Sequence, residues 1–221
     1  MSEKLRVGIL GATGMVGQRF ITLLADHPWF EIVSLAASPR SAGKTYEEAI
    51  GGRWKLDLPM PEKVKKMVVR NVNEVEAVAS EVDMVFSAVD MTKDEIRAIE
   101  EAYAKTETPV VSNNSAHRWT PDVPMVVPEI NPGHLDVIPY QKKRLGTEKG
   151  FIVVKPNCSI QSLSLIHISL PWFCSSVQDH RDPGTEIFLK TCNSGECLLY
   201  FCHWLAECGR TLSVLTLEGS S

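Results

Sequence analysis

Residues 5–17 read LRVGILGATGMVG, a bulky apolar run that breaks at glycine and resumes with a different period. Val7, Ile9 and Leu10 predict a short buried strand. From Met15 to Asp26, Val16, Phe20, Leu23 and Leu24 recur at helical spacing, which predicts a helix directly after the glycines. A turn of this composition suits an anion. Glycine lets the backbone approach closely, and the unpaired N–H groups of a helix start point outward with the aligned peptide dipoles behind them. The spacing Gly8-x-x-Gly11-x-x-Gly14-x-x-Gly17 departs from the common G-x-G-x-x-G turn, so the reading as a nucleotide-phosphate cradle rests on the flanking strand and helix.

The totals fit a small-molecule protein. A chain of 221 residues, 44% of them apolar, can bury a full core, and a formal charge of -4 argues against a nucleic-acid partner, which needs a concentrated basic face. The opening MSEKLRVGIL lacks the charged start, long apolar core and small-residue cleavage site of a secretory leader. No window reaches transmembrane length, so a cytoplasmic protein with no membrane partner is expected. Its six cysteines are then reduced thiols, most of them in the last quarter of the chain.

Strands and helices alternate beyond the turn. Residues 31–37 (EIVSLAA) predict a second strand, at the distance where a dinucleotide fold reads the adenosine ribose. An acid there selects NAD. Instead, Ser38-Pro39-Arg40-Ser41-Ala42-Gly43-Lys44 offers hydroxyls and a guanidinium suited to a 2′-phosphate, which favours NADP over a plain solvated loop. Residues 44–70 read as an irregular excursion with one short helix and no nameable chemistry. A short helix over 74–80 and a doubly buried strand over 83–88 (DMVFSA) come next. Thr92-Lys93-Asp94-Glu95 then forms a capping box that opens a helix to about Lys105, with Ile96, Ile99, Ala102 and Tyr103 as its inward stripe. Residues 109–112, 125–127 and 151–155 read as further strands, ending in the clusters Asn113 to Trp119, Pro128 to Pro132 and Pro156-Asn157-Cys158-Ser159. Such alternation implies right-handed crossovers and a parallel sheet whose ligands gather beyond the carboxyl ends of its strands.

Cys158 falls between a strand end and a predicted helix start, where N–H groups and the dipole favour a thiolate; a buried structural cysteine fits the same position. Beside a nicotinamide, a thiolate can carry an acyl group between a phosphate and a hydride. That chemistry needs a cation for the phosphate. Arg118 offers a planar fork, with a plain surface arginine as the alternative.

Together GILGATGMVGQRF, SPRSAGK, FSA, VVSNNSAHRW, VVPEINP and KPNCSIQS, in this order from Lys4 to about Ser162, resemble aspartate-semialdehyde dehydrogenase, especially its archaeal and fungal branch. The resemblance implies an α/β chain: a Rossmann-like parallel-sheet domain over 1–150, then a catalytic and dimerisation domain begun at 151–162 and not completed. It also implies an NADP-dependent oxidoreductase of lysine, threonine and methionine biosynthesis that converts aspartyl phosphate to aspartate semialdehyde and phosphate. On this resemblance Cys158 forms the acyl-thioester, and Arg118 holds the substrate phosphate with Asn157 as a second substrate contact. Gly11, Thr13, Gly14, Met15 and Val16 match the pyrophosphate turn, Ser38, Arg40 and Ser41 the 2′-phosphate loop, and Ser87 and Ala88 a further cofactor contact. No metal is implied, and the family is usually a homo-oligomer. N-acetyl-glutamyl-phosphate reductase and malonyl-CoA reductase share the turn and the cysteine and stand as alternatives, as does a non-catalytic NADP-binding module.

After Ser162 the motifs stop. The glycine-rich nicotinamide segment, the basic residue for the substrate carboxylate and the general-base histidine are not matched, and His167, His180 and His203 stand in no pattern like that histidine's. Residues 163–221 are read as a frame-shifted or wrongly joined translation. The alternatives are a zinc site on Cys192, Cys197, Cys202, His203 and Cys208, which lacks paired C-x-x-C spacing, and a genuine dimerisation segment with an apolar helix over 198–205. Little turnover by this chain alone is the expected consequence.

Overall fold

The computed structural model describes residues 4–127 and 130–157, so Cys158, the stretch after it, Pro128 and Glu129 lie outside the described residues. Strands β1 (Leu5–Leu10), β2 (Phe30–Ala37), β3 (Val69–Asn71), β4 (Met84–Ser87), β5 (Val110–Ser112) and β6 (Ile152–Val154) form one sheet. Every pairing is parallel, in the order β3-β2-β1-β4-β5-β6. This is the Rossmann order. It reverses between β1 and β4 and so leaves a crevice at the carboxyl ends of those two strands. Helices α1 (Met15–Leu24), α2 (Tyr46–Ile50), α3 (Glu62–Lys65), α4 (Val75–Ala79), α5 (Lys93–Lys105) and α6 (Ile138–Leu145) lie between the strands in sequence. The sheet and these helices belong to one unit, Met1–Met125 with Gly133–Lys155. β6 pairs with β5, so the sheet runs past residue 150.

Val7, Ile9 and Leu10 of β1 and all of β4 are buried, as strands covered on both faces require. Phe20 of α1, Phe30 of β2 and Phe86 of β4 meet as tilted and edge-on rings with centroids 5.2 and 5.7 Å apart. Thr92 and Glu95 close the expected capping box of α5, and a second box, Thr45 with Glu48, opens α2.

Four expectations are corrected. The buried face of α1 is Gly17, Phe20, Ile21 and Leu24, with Gln18 beside it, while Val16 is 37% exposed. The reason is Gly17: a Cβ there would lie 2.3 Å from the Gly11 carbonyl oxygen, so this glycine faces the turn and fixes the rotation of the helix. On α5, Ala102 is only half-buried and Glu100 takes the inward position. Residues 125–127 make a single bridge, Met125 to Val154, rather than a strand. Pro124 and Pro128 bound that run, and the Val127 N–H donates to Asn131 Oδ1 instead of to a neighbouring strand. The excursion over 44–70 holds two helices, not one, and α6, with a 3-10 turn over Pro132–Val137 before it, was not expected.

Candidate functional site

Strand register aligns the loops that carry the candidate residues. Leu10 pairs with Ala36 and Ser87, Ser87 with Ser112, and Ser112 with Val154, so these residues form one row across the sheet. Gly11, Ala37, Ala88, Asn113 and Lys155 follow that row directly. The glycine turn, the Ser38 loop, the Ala88 loop and the Arg118 loop therefore leave the sheet along one edge.

The glycines of the turn have different jobs. Gly11 has φ +82°, and a Cβ there would meet the Ala88 carbonyl oxygen at 2.3 Å, so only glycine fits against the end of β4. Gly14 is the N-cap of α1, with extended backbone and no side-chain cap. Among the described residues a Cβ on Gly14 would touch only the Gly11 oxygen, at 3.4 Å.

The carbonyls of the turn are all engaged from within the protein. Gly11 O accepts from Gly14 N at 3.0 Å, and Gly14 O accepts from Gln18 N at 2.9 Å. The buried Tyr46 hydroxyl donates to Ala12 O at 2.8 Å, and Gln18 Nε2 donates to Thr13 O at 3.2 Å. Burial pushes the Tyr46 phenol far above its ordinary value, so it stays a donor. Gln18 also takes the Lys55 N–H on its Oε1 and gives Nε2 to Arg53 O. Thus the excursion, in which sequence patterns showed no chemistry, braces the cradle. With acceptors turned inward and the first turn of α1 uncapped, the outward side of the loop offers amide donors and the positive end of a helix dipole.

Around this cradle, Ser38 and Arg40 are exposed in a turn closed by Ser41 N to Ser38 O, while Ser41 itself is buried. Ser87 turns its hydroxyl inward to Glu100 Oε1 at 2.7 Å, so only the backbone around Ala88 faces the turn. Arg118 is half-buried; its Nε donates to Lys155 O at 3.2 Å and Nη2 to Asn113 O at 3.5 Å. Among the described residues no carboxylate neutralises it. Asn157 is exposed in the three residues after Val154, and Cys158 lies outside the described residues. The cysteine–histidine run after residue 190 lies outside them too, and no metal-binding cluster occurs among the described residues. Nor is any described helix long and apolar enough to cross a membrane.

His117 is buried next to Arg118, with Nδ1 3.1 Å from Thr120 Oγ1. Burial holds its imidazole below the ordinary value of 6.5, against the opposite pull of Glu101. Between the lowered value and 6.5 the unfolded chain binds a proton that the folded chain does not, so stability falls as pH drops through 6.5. Melts at about pH 7.5 and about pH 5.5 should show a shallower fall for His117→Gln, by up to about 1.4 kcal/mol per pH unit. Parallel curves for variant and wild type would contradict this.

Residues 6–138 match the family model described as semialdehyde dehydrogenase, NAD binding domain. The chain belongs to this family. Among curated semialdehyde dehydrogenases, the aspartate-semialdehyde dehydrogenase of Methanothermobacter thermautotrophicus is 50% identical over 159 residues, 72% of this chain and 44% of that protein. That of Aspergillus fumigatus is 41% identical over 192 residues, 87% of this chain and 50% of that protein. A match of that length runs past residue 162. The chain therefore spans about half the length of the curated semialdehyde dehydrogenases it matches. Among solved structures, the crystal structure of aspartate semialdehyde dehydrogenase with NADP from Candida albicans superposes with TM-score 0.64 at 42% identity, over 73% of this chain and 45% of that one.

Proposed function

We propose that this chain is the NADP-binding half of an aspartate-semialdehyde dehydrogenase. The observation that carries the proposal is the uncapped start of α1 at the reversal of strand order, with the turn's carbonyls all engaged from behind. The backbone from Gly11 to Gly17 would hold the pyrophosphate, and Ser38 and Arg40, with the turn of Ser41, the 2′-phosphate. The Candida albicans relative, solved with NADP, supports the choice of cofactor. Bound there, NADPH supplies a hydride.

In the activity proposed for the complete enzyme, the Cys158 thiolate attacks the acyl carbon of aspartyl phosphate and expels inorganic phosphate, forming a thioester on its own sulfur. Reduction of that thioester by a hydride from the bound nucleotide would release aspartate semialdehyde and return the Cys158 thiolate. Arg118, which rests on carbonyls of the two neighbouring strand ends with no neutralising carboxylate among the described residues, would hold the leaving phosphate, with Asn157 as a second contact. The sequence motifs identify no general base and no clamp for the substrate carboxylate, and the chain by itself is proposed to bind nucleotide with little turnover.

Fluorescence titration tests the binding half. NADPH should bind more tightly than NADH, and Arg40→Ala should weaken NADPH about tenfold while leaving NADH unchanged. Equal affinity for the two nucleotides, before and after the substitution, would overturn the NADP assignment.

A further inference from the structure

Among the described residues Glu100 is the one carboxyl with its side chain fully buried, and the chemistry above makes no use of it. It stands on α5 beneath the carboxyl ends of β4 and β5. Its Oε1 accepts from Ser87 Oγ at 2.7 Å, Ser112 Oγ at 2.6 Å and Asn114 Nδ2 at 3.0 Å, while Oε2 has no partner among the described residues. Ser87 and Ser112 end their strands and are register partners.

Each donor leads to one side of the site. Ser87 precedes Ala88, whose N–H donates to Leu10 O and whose carbonyl excludes a Cβ at Gly11. Ser112 Oγ accepts from Asn114 N, and Asn113 N donates to Ser87 O. The Asn113 carbonyl in turn receives the Arg118 guanidinium. One carboxyl oxygen thus ties the strand end on the nucleotide side to the strand end that leads to the proposed phosphate clamp.

The protonation state follows from the same geometry. No cation pairs with Glu100 among the described residues. The groups facing it from β4, β5 and the Asn114 loop are hydroxyls and an amide. On its own helix, Arg97 is turned to Ala116 O and Asp94, and Glu101 to Arg144 of α6. From before α4, Glu74 acts on Tyr103. An unpaired buried carboxylate would be costly. The three donors on Oε1 pull toward the charged form, but Oε2 is buried with no donor among the described residues, so the charge shared onto it would go unsolvated. Burial pushes the carboxyl above its ordinary range, which agrees.

We propose that Glu100 is a neutral carboxylic acid acting as a positioning residue, its carbonyl oxygen holding the β4 and β5 strand ends so that Ala88 and Arg118 keep their places. This rests on the nucleotide-binding reading above. The test uses the full chain and the variants Glu100→Gln, Glu100→Leu and Ser112→Ala. At neutral pH the wild-type infrared spectrum should show a protonated-carboxyl band that Glu100→Gln removes. Glu100→Gln, which keeps the carbonyl acceptor, should bind NADPH within about twofold of wild type, and Glu100→Leu about tenfold more weakly. Should Glu100→Leu fail to fold, Ser112→Ala, which removes one donor only, should weaken NADPH about threefold. Absence of the band, or wild-type affinity in the folded Glu100→Leu or Ser112→Ala variant, would overturn the proposal. A wild-type chain that binds no NADPH overturns the nucleotide reading and the positioning role with it, whereas the infrared band decides the protonation state by itself, so the two failures are distinguishable.

Discussion

Gly14→Asp is expected to leave the melting temperature of the chain unchanged or slightly raised while weakening NADPH binding by about a hundredfold, or about 2.7 kcal/mol. Gly14 has φ -75° and ψ 165°, a conformation aspartate adopts without strain. Among the described residues the only atom near an added Cβ is the Gly11 oxygen, in ordinary contact. An aspartate carboxylate at this N-cap would accept from the amides of Val16 and Gly17 and complement the helix dipole, which stabilises the fold by a few tenths of a kcal/mol relative to glycine. Those are the same donors that the pyrophosphate needs, and the new charge repels it. Paired thermal melts and NADPH titrations check the prediction. A variant that binds NADPH as wild type does would show that the amides at the start of α1 do not hold the phosphates.

Gly17→Ala is expected to do the reverse of what helix propensity suggests. In a solvated helix, alanine would gain about 1 kcal/mol over glycine. Here its Cβ would lie 2.3 Å from Gly11 O and 2.7 Å from Ala12 Cα, and these are backbone atoms that cannot rotate aside. Helix α1 would have to lift from the turn and withdraw Phe20, Ile21 and Leu24 from the core. A net loss of about 2–3 kcal/mol is expected, lowering the melting temperature by roughly 5–10 °C. NADPH affinity should fall as well, because the cradle is displaced. A melting temperature equal to or above wild type would contradict this packing.

How far the fold could be read in advance depended on whether local pattern and tertiary demand agreed. β1, β2, β4 and the α5 capping box were legible because each is stated by consecutive residues, and the alternation of elements gave the parallel sheet. The buried face of α1 was not, because hydrophobic spacing nominated Val16 while close packing required Gly17 to face the turn. Glycine carries no signal on a hydrophobicity pattern. Glu100 was passed over for a related reason, since a charged residue on a helix is expected outward. Yet Ile96, Ile99, Glu100 and Tyr103 stand at i, i+3, i+4 and i+7, so the spacing alone placed it on the apolar face. Tyr46 and Gln18 brace the turn through its carbonyls, from positions that local sequence cannot relate to the glycines. Arg118 was found from its motif, but that its charge rests on the carbonyls of Asn113 and Lys155 is a fact of the sheet edge alone.

The central claim, that bare backbone at the start of α1 holds the phosphates of NADP, is tested most directly amide by amide. In an isotope-labelled chain titrated with NADP+, the amide resonances of Thr13, Met15, Val16 and Gly17 should shift first and furthest, with those of Ser38 to Ser41 following. Saturation with those amides unmoved and shifts confined to other parts of the chain would contradict it.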